Sequence, residues 1–201
     1  GVFAAYALTE PGAGSDAAAL STTYVDDGDH WILNGSKVFI SNASISNWMV
    51  VFATKDKTMR HQGISCFVID TDTPGCKTHK MTGKLGQRCA DTSEVVFEDC
   101  RIPKSALVGR EGEGFKIAMR TFDRTRPQIV AVSIGITQRA LDECRAYALE
   151  RKAFGQAIAS FQAIQFMLAD MATQVEAARQ LVYTAAKVID SGAKNVNKIA
   201  A

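Results

Sequence analysis

Along the first hundred residues, short runs of apolar, β-branched and aromatic positions alternate with turn chemistry. The runs are Val2 to Leu8, Leu20 to Val25, Trp31 to Leu33, Lys37 to Ile40, Trp48 to Thr54, Ile64 to Asp70 and Glu94 to Phe97. Such residues suit a pleated, half-buried surface, so each run predicts a strand. Asp26-Asp27-Gly28 and Asn34-Gly35 are the strongest turn signals between them, because glycine relieves the left-handed backbone cost of tight hairpins. Closely spaced strands of this kind predict an antiparallel barrel or sandwich. Near residue 113 the period changes. Phe115, Ala118, Met119 and Phe122 fall at helical spacing, and Ile129, Val132, Ile136, Ala140, Cys144 and Tyr147 trace a second apolar stripe. Pro127 is expected to start or kink that second segment. A third stripe runs Ile164, Met167, Leu168, Met171, Val175, Ala178, Val182, Ala185 and Ile189, with Ser191-Gly192 as its stop.

The fold class expected is therefore α+β: a β-barrel or sandwich over residues 1–110, then the first long helices of an α-helical bundle over residues 111–201. Two long helices cannot bury all their apolar faces between themselves and one small β-domain. The stripes imply partner helices, either further along a parent chain or from another subunit. The opening Gly1 and the apolar start at Phe3 likewise suggest a piece of something longer.

Composition narrows the function classes. Of 201 residues, 47% are hydrophobic and 22% charged, as in an ordinary globular chain. Lys plus Arg is 23 and Asp plus Glu is 21, with no run of five like charges, which argues against nucleic-acid or membrane-surface binding. No apolar stretch approaches the roughly 20 residues of a membrane span. Cys66, Cys76, Cys89, Cys100 and Cys144 are odd in number and form no C-x-x-C pair, which speaks against a disulfide framework or zinc site. The same cysteine usage points to a reducing compartment. His30, His61 and His79 lack partners at ligand spacing, so no metal site is expected. The sequons at Asn34 and Asn42 carry little weight without a signal peptide. Glu94, Glu98 and Asp99 read as exposed strand-end charges.

Gly12, Gly14 and Ala17 formally satisfy the dinucleotide fingerprint G-x-G-x-x-[GA]. The fingerprint needs a following helix whose amides hold a pyrophosphate, and hairpin strands follow instead. What survives is a loop with exposed amides and the hydroxyls of Thr9 and Ser15, suited to an anionic or heterocyclic ligand, or else an ordinary Gly-Pro turn.

The segment Tyr6 to Asp16 (Tyr-Ala-Leu-Thr-Glu-Pro-Gly-Ala-Gly-Ser-Asp), then Asn34 to Asn42 (Asn-Gly-Ser-Lys-Val-Phe-Ile-Ser-Asn), Gly86-Gln-Arg, Phe97 to Pro103, Gly112-Glu-Gly-Phe115, Phe122-Asp-Arg-Thr-Arg-Pro127 and Tyr147 to Gly155 stand in order over nearly the whole chain. In order and spacing they resemble the acyl-CoA dehydrogenase flavoprotein family. Phe122 to Pro127 is most similar to the medium-chain branch. The resemblance implies the family's middle β-domain and the start of its C-terminal helical domain, without the N-terminal helical domain.

The resemblance also implies roles. Tyr6, Leu8, Thr9, Gly14 and Ser15 match the loop lining the flavin of FAD, with Thr9 bonding the ring and Ser15 also meeting substrate. Phe39, Ile40 and Ser41 match the second flavin strand; the family's usual Trp is Phe39 here, which would itself fit a barrel core. Asp123 and Arg126 match positions on the coenzyme A moiety of acyl-CoA. Arg151, Lys152, Ala153, Phe154, Phe161 and Gln162 match the stretch that reaches the FAD of a neighbouring subunit. By periodicity alone, Arg126 and Arg151 would be solvated helix charges. The implied reaction is α,β-dehydrogenation of a fatty acyl-CoA to the trans-2-enoyl thioester, with electron-transferring flavoprotein as redox partner, a homotetramer as assembly and the mitochondrial matrix as location. The family's usual base is a Glu in a later segment, so no catalytic residue is assigned, and the chain by itself is expected to be inactive. A different class of reading is a non-catalytic short product acting as a binding or assembly module.

Overall fold

A computed structural model describes residues 1–192. The chain divides into two compact units, Gly1–Ala118 and Met119–Ala201. The end of the expected helical domain, residues 193–201, lies outside the described residues.

The first unit is built on one eight-stranded sheet from β1 (Ala4–Ala7), β2 (Thr23–Asp27), β3 (His30–Ser41), β4 (Trp48–Thr54), β5 (Ile64–Asp70), β6 (Cys76–Lys80), β7 (Thr92–Pro103) and β8 (Leu107–Val108). The order is β6-β7-β3-β2-β4-β5-β8, with β1 paired to β4. Pairing is antiparallel except that β1 and β2 run parallel to β4, so the sheet is mixed. The inward faces of nearly every strand meet in one cluster that includes Tyr24, Trp31, Leu33, Met49, Val51, Phe67, Val95 and Ile102. Tyr24, Trp31 and Phe67 pack edge to face at centroid distances of 5.1–6.0 Å, the geometry aromatic quadrupoles favour.

The Asp26-Asp27-Gly28 turn forms the β2–β3 hairpin: Gly28 takes φ +69°, and its N–H donates to the Asp26 carboxylate. Asn34-Gly35 does not turn. The runs Trp31 to Leu33 and Lys37 to Ile40 are one twelve-residue strand, with a register shift against β7 between Leu33 and Gly35. Gly35 is required there for another reason. A Cβ on it would lie 2.7 Å from Thr22 Cα, and its φ is +143°. The glycine lets two backbones approach within an unbroken β3, and the extra residue of the register shift lies on β7, where Asp99 takes φ +45°; the Asn-Gly pair by itself reads as a hairpin turn. Glu94, Glu98 and Asp99 lie within β7 rather than at a strand end, Asp99 being held by Asn34 across the sheet.

In the second unit, α1 (Gly114–Glu150) and α2 (Gln162–Asp190) flank a small hairpin, β9 (Lys152–Ala153) and β10 (Gln156–Ala157). The helix α1 begins in the first unit and continues through Pro127, which therefore does not start a separate segment. Proline there forfeits the bond to the Asp123 carbonyl, a cost that the remaining turns of a 37-residue helix carry. Residues 124–131 share a cleft with 182–190, and 137–140 with 171–178, so the helices run antiparallel. Arg179 donates to Gln138 across them at 2.6 Å. The α2 stripe faces inward as its period predicts, except Met167, and Ser191-Gly192 ends the helix with Gly192 at φ +71°. On α1 the facing side is instead Pro127, Ile134, Leu141 and Ala148, whereas Ile129, Val132, Ile136, Ala140, Cys144 and Tyr147 are exposed. Apolar residues occupy more than one face of α1, so periodicity alone could not say which face meets α2.

Candidate functional site

The residues singled out by sequence fall in three places. The first lies where the glycine loop crosses β3. Thr9 is joined to β3 by its carbonyl, which accepts from Val38 N–H at 2.9 Å. Glu10 and Ala13 exchange backbone bonds around Pro11-Gly12, making a tight turn that leaves Gly14 and Ser15 exposed. Only a single turn of 3₁₀ helix, Ala17–Ala19, follows, so the loop has no helix N-terminus with which to hold a pyrophosphate.

On β3 the register shifts again between Lys37 and Ile40, and Phe39 sits at that bulge with φ +59°. A left-handed backbone is costly for an aromatic residue, and strain of this kind concentrates at functional sites. The bulge turns the Phe39 ring outward, 63% exposed, while Ile40 beside it is core. Phe39 is thus not barrel core, and Ile40 can contribute only backbone to a surface ligand. Ser41 is exposed, and Thr9 and Tyr6 are half-buried, Tyr6 lying 5.1 Å from the Phe52 ring. Leu8 is buried, so the loop offers its backbone there rather than its side chain.

Beneath this surface lies a feature that the motif reading passed over. Lys37 and Glu10 form an ion pair at 2.7 Å with both side chains almost wholly buried. The Lys37 ammonium also donates to the Leu8 carbonyl at 3.3 Å. The Glu10 carboxylate accepts from the backbone N–H groups of Ser21 and Thr22 and from the Ser21 hydroxyl. Burial pushes the Glu10 carboxyl upward, but the Lys37 charge and these donors outweigh it and hold it down to about 2. Burial pushes the Lys37 ammonium down to about 8 against the pull of Glu10. Both groups are charged at neutral pH. The signal was available: Trp31, Leu33 and Lys37 share one face of an alternating strand, and a lysine at an inward position demands an anion.

The second place is on α1. Asp123 and Arg126 lie one turn apart with 3.9 Å between carboxylate and guanidinium, and Arg126 sits 5.5 Å from the Phe122 ring. The third is the β9–β10 hairpin. Arg151 and Lys152 are exposed, and Phe154, at φ +52° with Gly155 at +79°, is 96% exposed at the tip. Phe154 and Phe161 meet edge to face at 6.1 Å, bringing the hairpin tip against the start of α2. Arg126 and Glu150 are separated by roughly 36 Å of helix at 1.5 Å per residue. The second and third places therefore lie far apart along the helical unit.

The first place presents an outward aromatic ring at Phe39, hydroxyl-bearing residues at Thr9, Ser15 and Ser41, the Lys37–Glu10 pair buried beneath and the exposed Asp16–Arg60 pair at the end of the loop, a set of groups that suits a heteroaromatic plane. No helix among the described residues is long and apolar enough to cross a membrane. Residues 5–100 match the family model for the acyl-CoA dehydrogenase middle domain, and residues 112–201 match that for the acyl-CoA dehydrogenase C-terminal domain. The whole chain is 48% identical to 52% of a probable acyl-CoA dehydrogenase, FadE25, of Mycobacterium tuberculosis. Over 96% of the chain it is 47% identical to 51% of the caffeyl-CoA reductase-Etf complex subunit CarC of Acetobacterium woodii. Butyryl-CoA dehydrogenase from Megasphaera elsdenii superposes with a TM-score of 0.92 at 40% identity, over 98% of this chain and 52% of that one. The chain spans about half the length of the curated relatives it matches.

Proposed function

The chain belongs to the acyl-CoA dehydrogenase family, and from that premise we propose that it is the flavin-lining middle domain and the first long helices of an enzyme that oxidises a fatty acyl-CoA to its trans-2-enoyl thioester. The observation that carries this reading is the Phe39 bulge: a strained, outward aromatic ring next to Val38, whose N–H holds the carbonyl of Thr9. FAD, when bound, supplies the hydride acceptor for such an oxidation. Thr9 and Ser41 orient the ring by hydrogen bonds, Phe39 covers it and excludes water, and Ser15 faces both ring and substrate. Asp123 and Arg126 hold the coenzyme A portion, with the guanidinium of Arg126 supplying the directional donors. Arg151, Lys152, Ala153, Phe154, Phe161 and Gln162 reach the FAD of a neighbouring copy in a homotetramer. The names of the CarC relative and of a structurally similar chain from an electron-transferring flavoprotein study support electron-transferring flavoprotein as redox partner. A mitochondrial matrix location is supported by the medium-chain resemblance of Phe122–Pro127.

No acid in this chain is given the part of the α-proton base, so residues 1–201 by themselves do not turn over. Anaerobic titration with octanoyl-CoA tests both this and the functional reading. The natural full-length protein loses its oxidised-flavin absorbance stoichiometrically, and the isolated 201 residues, supplied with FAD, do not. Bleaching by the isolated chain would place a base within it. Failure of the full-length protein to respond to any acyl-CoA would overturn the functional reading.

A further inference from the structure

Resting on the flavin reading above, we propose that Lys37 is a positioning residue: with Glu10 it forms a buried staple that sets the Thr9 loop in register with the Phe39–Ser41 strand. Lys37 donates from one nitrogen to the Leu8 carbonyl and to the Glu10 carboxylate, the groups on either side of Thr9. Its neighbour Val38 donates to the carbonyl of Thr9 itself. Two consecutive residues of β3 thus hold three consecutive residues of the loop. Glu10 in turn accepts from Ser21 and Thr22, where the loop rejoins β2, so one carboxylate closes the loop at its base. Directly beyond Val38 the strand bulges and Phe39 is forced to φ +59°. The loop hydroxyls and the outward ring are therefore placed from the same two residues.

Stability alone does not explain the choice of charge. Two ions taken out of water lose their hydration, and a well-packed apolar pair commonly holds a core as firmly. What an apolar pair cannot do is fix direction: it makes no bond to the Leu8 carbonyl or to the Ser21 and Thr22 amides. A single compact ammonium with several donors can.

The test compares Lys37→Met and Glu10→Gln with Ile102→Ala in the natural full-length protein. Ile102 is core, but it pairs with Trp31 at the opposite end of the β3–β7 ladder from the bulge. Hydrogen exchange of the Val38 amide is read without FAD, and FAD affinity is read by titration well below each variant's melting temperature. Both staple variants are expected to lose Val38 protection and to bind FAD about tenfold to a hundredfold more weakly. Ile102→Ala, with a comparable drop in melting temperature, keeps both properties. Equal loss in all three variants would make Lys37 merely structural, and native FAD affinity in the staple variants would overturn the proposal. Should Lys37→Met not fold, Glu10→Gln, which keeps the side-chain shape, decides by the same readouts. A native protein that binds no FAD overturns the flavin reading itself, a result distinct from variants that bind it normally.

Discussion

Replacing Phe39 by glycine separates what the residue costs from what it does. Phe39 holds a left-handed backbone, a strain of about 1 to 2 kcal/mol for a residue with a Cβ. Its ring is 63% exposed, so little burial is lost on truncation. Glycine removes the strain but adds about 0.5 to 1 kcal/mol of unfolded-state entropy. The apoprotein should therefore be unchanged or more stable by about 1 kcal/mol, an upward shift of up to about 4 °C in melting temperature. Asparagine, which tolerates the left-handed region without glycine's entropy, should behave alike or slightly better. FAD affinity should move the other way. Loss of an aromatic surface over the flavin ring costs about 1 to 2 kcal/mol, or roughly tenfold in dissociation constant. The assay pairs thermal unfolding of apoprotein, followed by circular dichroism, with fluorescence titration of FAD. A melting temperature lower by more than a few degrees would show Phe39 to be a packing residue. Unchanged FAD affinity would show that the bulge does not serve the flavin.

Three further outcomes are expected. Arg126→Lys keeps normal flavin content but raises KM for acyl-CoA about tenfold through loss of the planar fork; loss of flavin instead would return the residue to a structural role. Glu10, held down to about 2 from its ordinary 4.5, contributes stability that is present above pH 4.5 and lost as pH falls through about 2. Asp91, buried but kept low by the Ser44 hydroxyl and amide, adds in the same direction, and Glu10→Gln should flatten this acid limb by up to about 3 kcal/mol in denaturant titrations at graded pH. Gly35→Ala drives a Cβ into Thr22 at an unfavourable φ and should lower the melting temperature by on the order of 10 °C, whereas a shift below 2 °C would refute the close approach.

Much of this molecule is written locally in its sequence. The spans Trp48–Thr54 and Ile64–Asp70, the Asp26–Gly28 hairpin, the inward face of α2 and its Gly192 stop follow from period and turn chemistry, because neighbours along the chain supply them. The motif series from Tyr6 to Gly155 is enough to indicate the family and the two of its domains that this chain matches. Tertiary structure decided the rest. Asn34-Gly35 carries a turn signature, yet pairing with β7, which takes up the extra residue of the register shift, and the close approach of Thr22 keep it inside one continuous strand. The parallel pairing of β1 with β4 joins segments 44 residues apart, which no local pattern encodes. Most of the apolar stripe of α1, all but Ala140, lies off the face that meets α2, because that face is chosen by helix packing and not by the helix. Lys37 and Glu10 lie 27 positions apart: strand alternation marks Lys37 as inward, but nothing local names Glu10 as its partner. Only the folded sheet places them together out of water, where an unpaired charge would be prohibitive and a paired one fixes geometry.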